Sequence, residues 1–146
     1  MATELLRRDF DVRAPLDTAW REFADVATWP AWAPHIRRIT VAPPGLIGPT
    51  SVGHLSFRPI GRSGFRISAY NERANWEWVG KVLWLTIRYD HRFEAAGDQT
   101  HMTWTVSEAG ERRSMLGRLF ASVYGRLVDR AIPRLQARLA SDKQGA

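Results

Sequence analysis

In residues 114–140 the apolar side chains Leu116, Leu119, Phe120, Val123, Leu127, Ala131, Leu135 and Leu139 recur at intervals of three and four, the period of one long amphipathic helix. Such a stripe has to be covered, and the segments before it supply the cover. Leu55 with Phe57, Phe65 with Ile67, Trp76 with Trp78, residues 83–93, and Met102 with Trp104 and Val106 alternate at a period of two, as strands with one buried face do. The breaks at 61–64, 71–75 and 96–99 are polar or glycine-containing and of hairpin length, so successive strands are expected to pair antiparallel. Ser114 offers the long helix an N-cap. Pro133 removes the bond to the Asp129 carbonyl and predicts a kink or break there.

Ahead of this meander, residues 6–12 read as a short strand that Ala14 and Pro15 end. Residues 15–24 form a helix, with Asp17 in its first turn and Leu16, Ala19, Trp20 and Phe23 on one face. A second short helix over 25–35 would start at Asp25 as N-cap and be limited by Pro30 and Pro34, with Trp29 and Trp32 on one side. Residues 36–41 alternate as a strand, and 42–50, with three prolines and two glycines, form a surface loop. The expected class is α+β: one domain over residues 1–146, with a curved antiparallel sheet of about seven strands, a long C-terminal helix and two short helices after the first strand.

Composition narrows the function classes. The chain has no cysteine, which excludes a disulfide scaffold, a thiolate metal site and a cysteine nucleophile. No run approaches 18 uninterrupted apolar residues and the first residues carry no apolar signal core, so the expected location is the cytoplasm, with no membrane span. The net charge is +6, and all but two of the 21 basic residues (Lys81 and Lys143) are arginine. They are dispersed along the chain among acids, so a nucleic-acid partner is not expected. Arg126, Arg130, Arg134 and Arg138 form a four-spaced row on the back of the long helix, read as a solvated face or, more sharply, as a surface for an acidic partner or membrane. Seven tryptophans supply rigid aromatic area that either packs a core or lines an apolar pocket.

The order of elements resembles the helix-grip fold of the START/Bet v 1-like superfamily, and within it the polyketide cyclase/dehydrase-like domains. The resemblance covers essentially the whole chain. It is carried mainly by FDVRAPLDTAWREFADVATWPAWAPHI, similar to that superfamily's strand, proline turn, tryptophan-bearing helix and second helix, and less by NWEWVGK, HRFEAAGDQTHMTWTVSEAG and the closing helix. It implies a sheet wrapped around the last helix with a cavity between them. The opening motif is structural in that family and does not assign chemistry.

Strand parity places Phe57, Trp78, Tyr89, His91, Phe93 and Trp104 inward, together with Leu83, Leu85 and Ile87, and sends Trp84, Thr86, Arg88, Asp90 and Arg92 outward. Tyr89 and His91 are polar on the inward side, so they must find partners in a filled core or meet a ligand. Phe120 and Tyr124 on the long helix would face them. The expected ligand site is therefore Phe57, Trp78, Tyr89, His91, Trp104, Phe120 and Tyr124, for a small apolar or aromatic compound.

Catalytic signatures are mostly absent: there is no phosphate-binding glycine loop, no G-x-S-x-G and no H-E-x-x-H. His35, His54, His91 and His101 lie in different elements without ligand spacing, so no metal and no cofactor are expected. The iron-binding relatives' motif of two histidines and a carboxylate is missing. Residues 60–64, IGRSG, imitate the loop of a KH domain but are flanked by strands and read as a turn. Three functions stay open: a carrier or sensor for a small hydrophobic molecule; an enzyme resembling the polyketide aromatase/cyclases, with His91 and Tyr89 as candidate catalytic groups; and a regulatory protein acting through its basic surface. The chain is expected as a monomer or homodimer.

Overall fold

The computed structural model describes residues 2–58 and 61–144. One seven-stranded sheet runs in the order β1-β7-β6-β5-β4-β3-β2, with β1 Ala2–Val12, β2 Ile36–Ala42, β3 Val52–Phe57, β4 Gly61–Asn71, β5 Asn75–Val82, β6 Leu85–Ala96 and β7 Gln99–Ala109. From β2 to β7 each strand pairs antiparallel with its successor, and β1 returns to β7. Between β1 and β2 come α1 Leu16–Ala24, a 3₁₀ turn Val26–Thr28 and α2 Trp29–Trp32; α3 Met115–Gln144 follows β7. This is the helix-grip architecture that the family resemblance implies.

Local chemistry explains most boundaries. α1 buries Ala19, Trp20 and Phe23, the predicted face. The predicted second helix is shorter than expected, a 3₁₀ turn and four α residues. Asp25 serves it through its carbonyl, which accepts the Thr28 N–H at 3.1 Å and the Thr28 hydroxyl at 2.8 Å, and not through its carboxylate. β1 begins earlier than predicted because a bulge between Glu4 and Leu6 shifts its pairing and turns Leu5 into the core ahead of Phe10 and Val12. The 42–50 loop is pinned by buried Ile47, whose N–H donates to the Ala24 carbonyl at 2.9 Å.

Three expectations need correction. Gly61–Gly64 opens β4 and is not a turn; Ile60, the first residue of the IGRSG segment, lies outside the described residues. Leu83 does not face inward: Val82 pairs with Leu85, and Leu83 and Trp84 are the two exposed residues of the turn between them. Of the kink or break expected at Pro133, the break does not occur: α3 runs through the proline as one helix, with Pro133 on its exposed side.

The buried face of α3 is also rotated from the predicted one. Phe120, Val128, Ala131, Ile132, Leu135 and Leu139 are buried, Val123 and Leu127 are half-buried, and Leu119 is 61% exposed. The glycines decide this. A Cβ at Gly117 would collide with the Glu108 carboxylate, and one at Gly125 would press on Leu6 and Arg8, so these two positions let the helix close on β7 and β1. Ser114 caps the helix as predicted, its hydroxyl accepting the Gly117 N–H at 2.8 Å, while the Ser114 N–H donates to Glu108 Oε2 at 3.1 Å. Ser114→Ala is expected to cost about 1 kcal/mol, read as a lowered midpoint in thermal unfolding.

Candidate functional site

The interior between sheet and α3 is crowded with aromatic rings. The α1–α2 segment drops Trp20, Phe23, Trp29 and Trp32 onto the inner face of β5–β7, where Trp76, Trp78, His91, Phe93 and Trp104 meet them. Phe23 alone contacts the rings of Trp29, Trp32, Trp76, His91, Phe93 and Trp104 at centroid distances of 4.8–6.0 Å. A second cluster, Leu5, Phe57, Val82, Leu85, Ile87, Val106 and Phe120, lies toward the start of α3. Tyr89 and Tyr124 pack against both clusters and join them.

All seven predicted ligand residues come together in this interior. Phe120 stacks on Tyr124 at 5.1 Å, Tyr124 meets Tyr89 at 5.7 Å, and Tyr89 stands edge-on to Trp78 at 6.2 Å. His91 continues the chain to Trp78 at 5.9 Å and Trp104 at 6.1 Å, and Phe57 packs in the Phe120 cluster. Tyr124, at the edge of the apolar stripe in sequence, is the hub: it borders each of three internal voids of about 20 Å3. A void of that size holds about one water, far below the several hundred Å3 of a ligand pocket. A ligand therefore needs these side chains to move apart. α3 makes its main backbone approaches to β1 and α2.

The polar groups here are short of partners. His91 Nδ1 donates to the Trp76 carbonyl at 3.3 Å, which leaves Nε2 as its acceptor edge. His35 Nδ1, Trp76 Nε1 and Trp104 Nε1 are buried without a hydrogen-bond partner among the described residues. His35 and Trp104 line the same void, beside Tyr124. Burial lowers the pKa of His35 to about 4 and that of His91 to about 3, and raises the hydroxyls of Tyr89 and Tyr124 above their ordinary value. At neutral pH the interior therefore holds two uncharged imidazoles and two protonated phenols.

His35 is the site residue that parity reasoning missed. It sits between Pro34 and the first residue of β2, where no alternation assigns a face; its ring stands edge-on to Tyr124 at 5.7 Å. The other histidines lie elsewhere. His54 is on β3, and His101 is at the surface, hydrogen-bonded to Asp11 at 2.7 Å and Asp9 at 3.2 Å.

A larger concavity of about 680 Å3 is on the opposite, outer face of the sheet, along the row that Thr40, His54 and Gly64 form across β2–β4 and that Lys81 and Thr86 continue. None of the seven predicted residues lines it. It is an open trough with a mixed apolar and cationic floor, and the buried side-chain nitrogens lacking partners among the described residues are on the inner side.

A family model described as polyketide cyclase / dehydrase and lipid transport matches residues 5–140. No curated protein matches the sequence. Among solved structures the chain is similar to the Zhui aromatase/cyclase from Streptomyces sp. R1128, at 14% identity and a TM-score of 0.73, over 96% of this chain and 94% of that one. It is similar to a START superfamily protein from Mycobacterium smegmatis at 12% identity and 0.71, over 95% and 99%, and to Ara h 8.0201 at 13% and 0.71, over 97% and 99%. At these identities the likeness is one of fold.

Proposed function

The chain belongs to the polyketide cyclase / dehydrase and lipid transport family, and on that basis we propose that it binds a small hydrophobic or aromatic molecule between the sheet and α3, as a carrier or sensor. The observation that carries this reading is that His35 and Trp104, whose buried Nδ1 and Nε1 have no hydrogen-bond partner among the described residues, line one void next to Tyr124. In a core evolved only for stability, such atoms each cost about 1–3 kcal/mol. A ligand carrying one or two oxygens on an apolar body would satisfy them and the Tyr89 and Tyr124 hydroxyls together. Phe57, Trp78, His91, Trp104 and Phe120 would supply its apolar walls.

The test uses anilinonaphthalene sulfonate as an aromatic probe, read by its emission and by quenching of tryptophan. Binding at one site is expected. Tyr89→Phe with Tyr124→Phe should weaken it roughly thirtyfold, since each of the two lost hydrogen bonds is worth about 1 kcal/mol net. Unchanged affinity in the double variant would remove these hydroxyls as the polar anchor.

A second reading is an aromatase/cyclase-type reaction on a polyketide-like chain, favoured by the placement of the two candidate catalytic groups: Tyr89 and His91 both stand edge-on to Trp78 in this interior, at 6.2 and 5.9 Å, where one shaped space could present a substrate to both. His91→Phe would separate the two. A carrier loses little, whereas an enzyme keeps substrate affinity and loses turnover by about a hundredfold or more.

A further inference from the structure

The β5–β6 hairpin closes through Leu83 and Trp84 alone. Two-residue turns favour Gly, Asn or Asp, because the left-handed backbone is costly for a residue with a bulky side chain. Leu83 nevertheless adopts it, with φ of 54°, and Leu83 and Trp84 are 66% and 72% exposed. Neither packing nor turn chemistry accounts for a large apolar pair at this tip.

The tip has companions. Val82 and Leu85, which flank it, pack in one cluster with Leu116 and Phe120 from the first turns of α3. Met115 and Leu119, their neighbours on the same turns, point to solvent and are 88% and 61% exposed. Four large apolar side chains thus project from this end of the molecule. Exposed cations accompany them: Lys81 before the turn, Arg112 and Arg113 between β7 and α3, Arg118 on α3, and Arg58 and Arg62 at the β3–β4 end, which the β4–β5 register brings level with the tip. Glu4 and Glu111 are the exposed acids there, and none of the six cations forms an ion pair with a described residue.

We infer that this end of the molecule docks on an anionic lipid bilayer, with Leu83, Trp84, Met115 and Leu119 entering the interfacial layer and the cations facing lipid headgroups. Tryptophan is favoured at that depth, and shallow apolar contact together with basic charge is the two-part combination that holds a protein reversibly on a membrane. Side chains splayed from two separate elements suit a deformable bilayer better than a shaped protein partner. Among the described residues no helix is long and apolar enough to cross a membrane, so the contact is peripheral. The docking surface stands whether or not the interior takes a ligand.

The experiment is flotation of the purified protein with vesicles of phosphatidylcholine alone and with about 30 mol% phosphatidylserine. Binding is expected to the anionic vesicles and to be much weaker on the neutral ones. Leu83→Gly with Trp84→Ser, whose exposed positions leave folding intact as checked by an unchanged melting curve, should lower partitioning roughly tenfold or more. Lys81→Glu with Arg112→Glu should abolish the preference for phosphatidylserine. Absence of binding to both vesicle types would overturn the inference. So would anionic binding that the Leu83→Gly/Trp84→Ser protein retains in full, because that marks adsorption by charge alone.

Discussion

Leu135→Asp is expected to leave the chain without a cooperative unfolding transition. Leu135 is among the most completely buried side chains, on the face of α3 that lies against the aromatic cluster with Ala131 and Leu139. The change removes about 2–3 kcal/mol of apolar burial and places a carboxylate within the apolar cluster, at a cost of several kcal/mol more. Total stability of a domain this size is about 5–15 kcal/mol, so the two losses together consume most of it. Leu127→Asp is the internal control. Sequence periodicity puts Leu127 on the same stripe, but it is half-buried, so that variant should fold and melt a few degrees lower. Circular dichroism melts of the two proteins decide the matter, and equal damage from both would mean that the helix face is assigned wrongly.

The protein is also expected to lose stability steeply as pH falls below about 6.5. His35 and His91 have folded-state pKa values lowered by burial to about 4 and about 3, against 6.5 in an exposed chain. Between those limits the unfolded state binds protons that the folded state refuses, so unfolding is favoured increasingly as pH drops and the loss levels off near pH 3–4. Each histidine accounts for about 2 kcal/mol by pH 5. His101 works in the other direction. Its pKa is raised, first by the hydrogen bond to Asp11, so its stabilising contribution is present in acid and is lost as pH rises through the folded value. Because His101 is exposed, that contribution is small. Urea midpoints measured from pH 7.5 to 4.5 should fall, and His91→Phe should flatten about half of the slope. A midpoint that stays level over this range would show the two imidazoles protonated inside the fold.

Much of the architecture was legible from the chain alone. Alternation at a period of two over β3–β7, the switch to three-and-four spacing after Ser114, and the proline-bounded tryptophan helices at 15–35 are local patterns. Each depends on backbone geometry that a residue carries with it, which is why the strand count, the helix order and the Ser114 cap could be read directly. Parity likewise assembled Phe57, Trp78, Tyr89, His91 and Trp104 on one side of the sheet, since a strand can turn only alternate residues inward.

What required tertiary structure were choices between locally equivalent answers. Leu127 and Val128 fit an apolar stripe equally well, and the close approach that Gly117 and Gly125 permit selected the second. Leu83 fits the alternation of β6 until the pairing of Val82 with Leu85 makes it a turn residue. His35 belongs to no periodic segment, and only the packing of α2 and α3 puts its ring on Tyr124. Openness of the interior is another such property. The same inward tryptophans can wall a pocket or fill it, and here Trp29, Trp32 and Phe23 fold across the sheet and leave voids of about 20 Å3. Sequence determines which side chains face inward because that is a matter of backbone period; how much space remains between them is set by volumes meeting across elements distant in the chain.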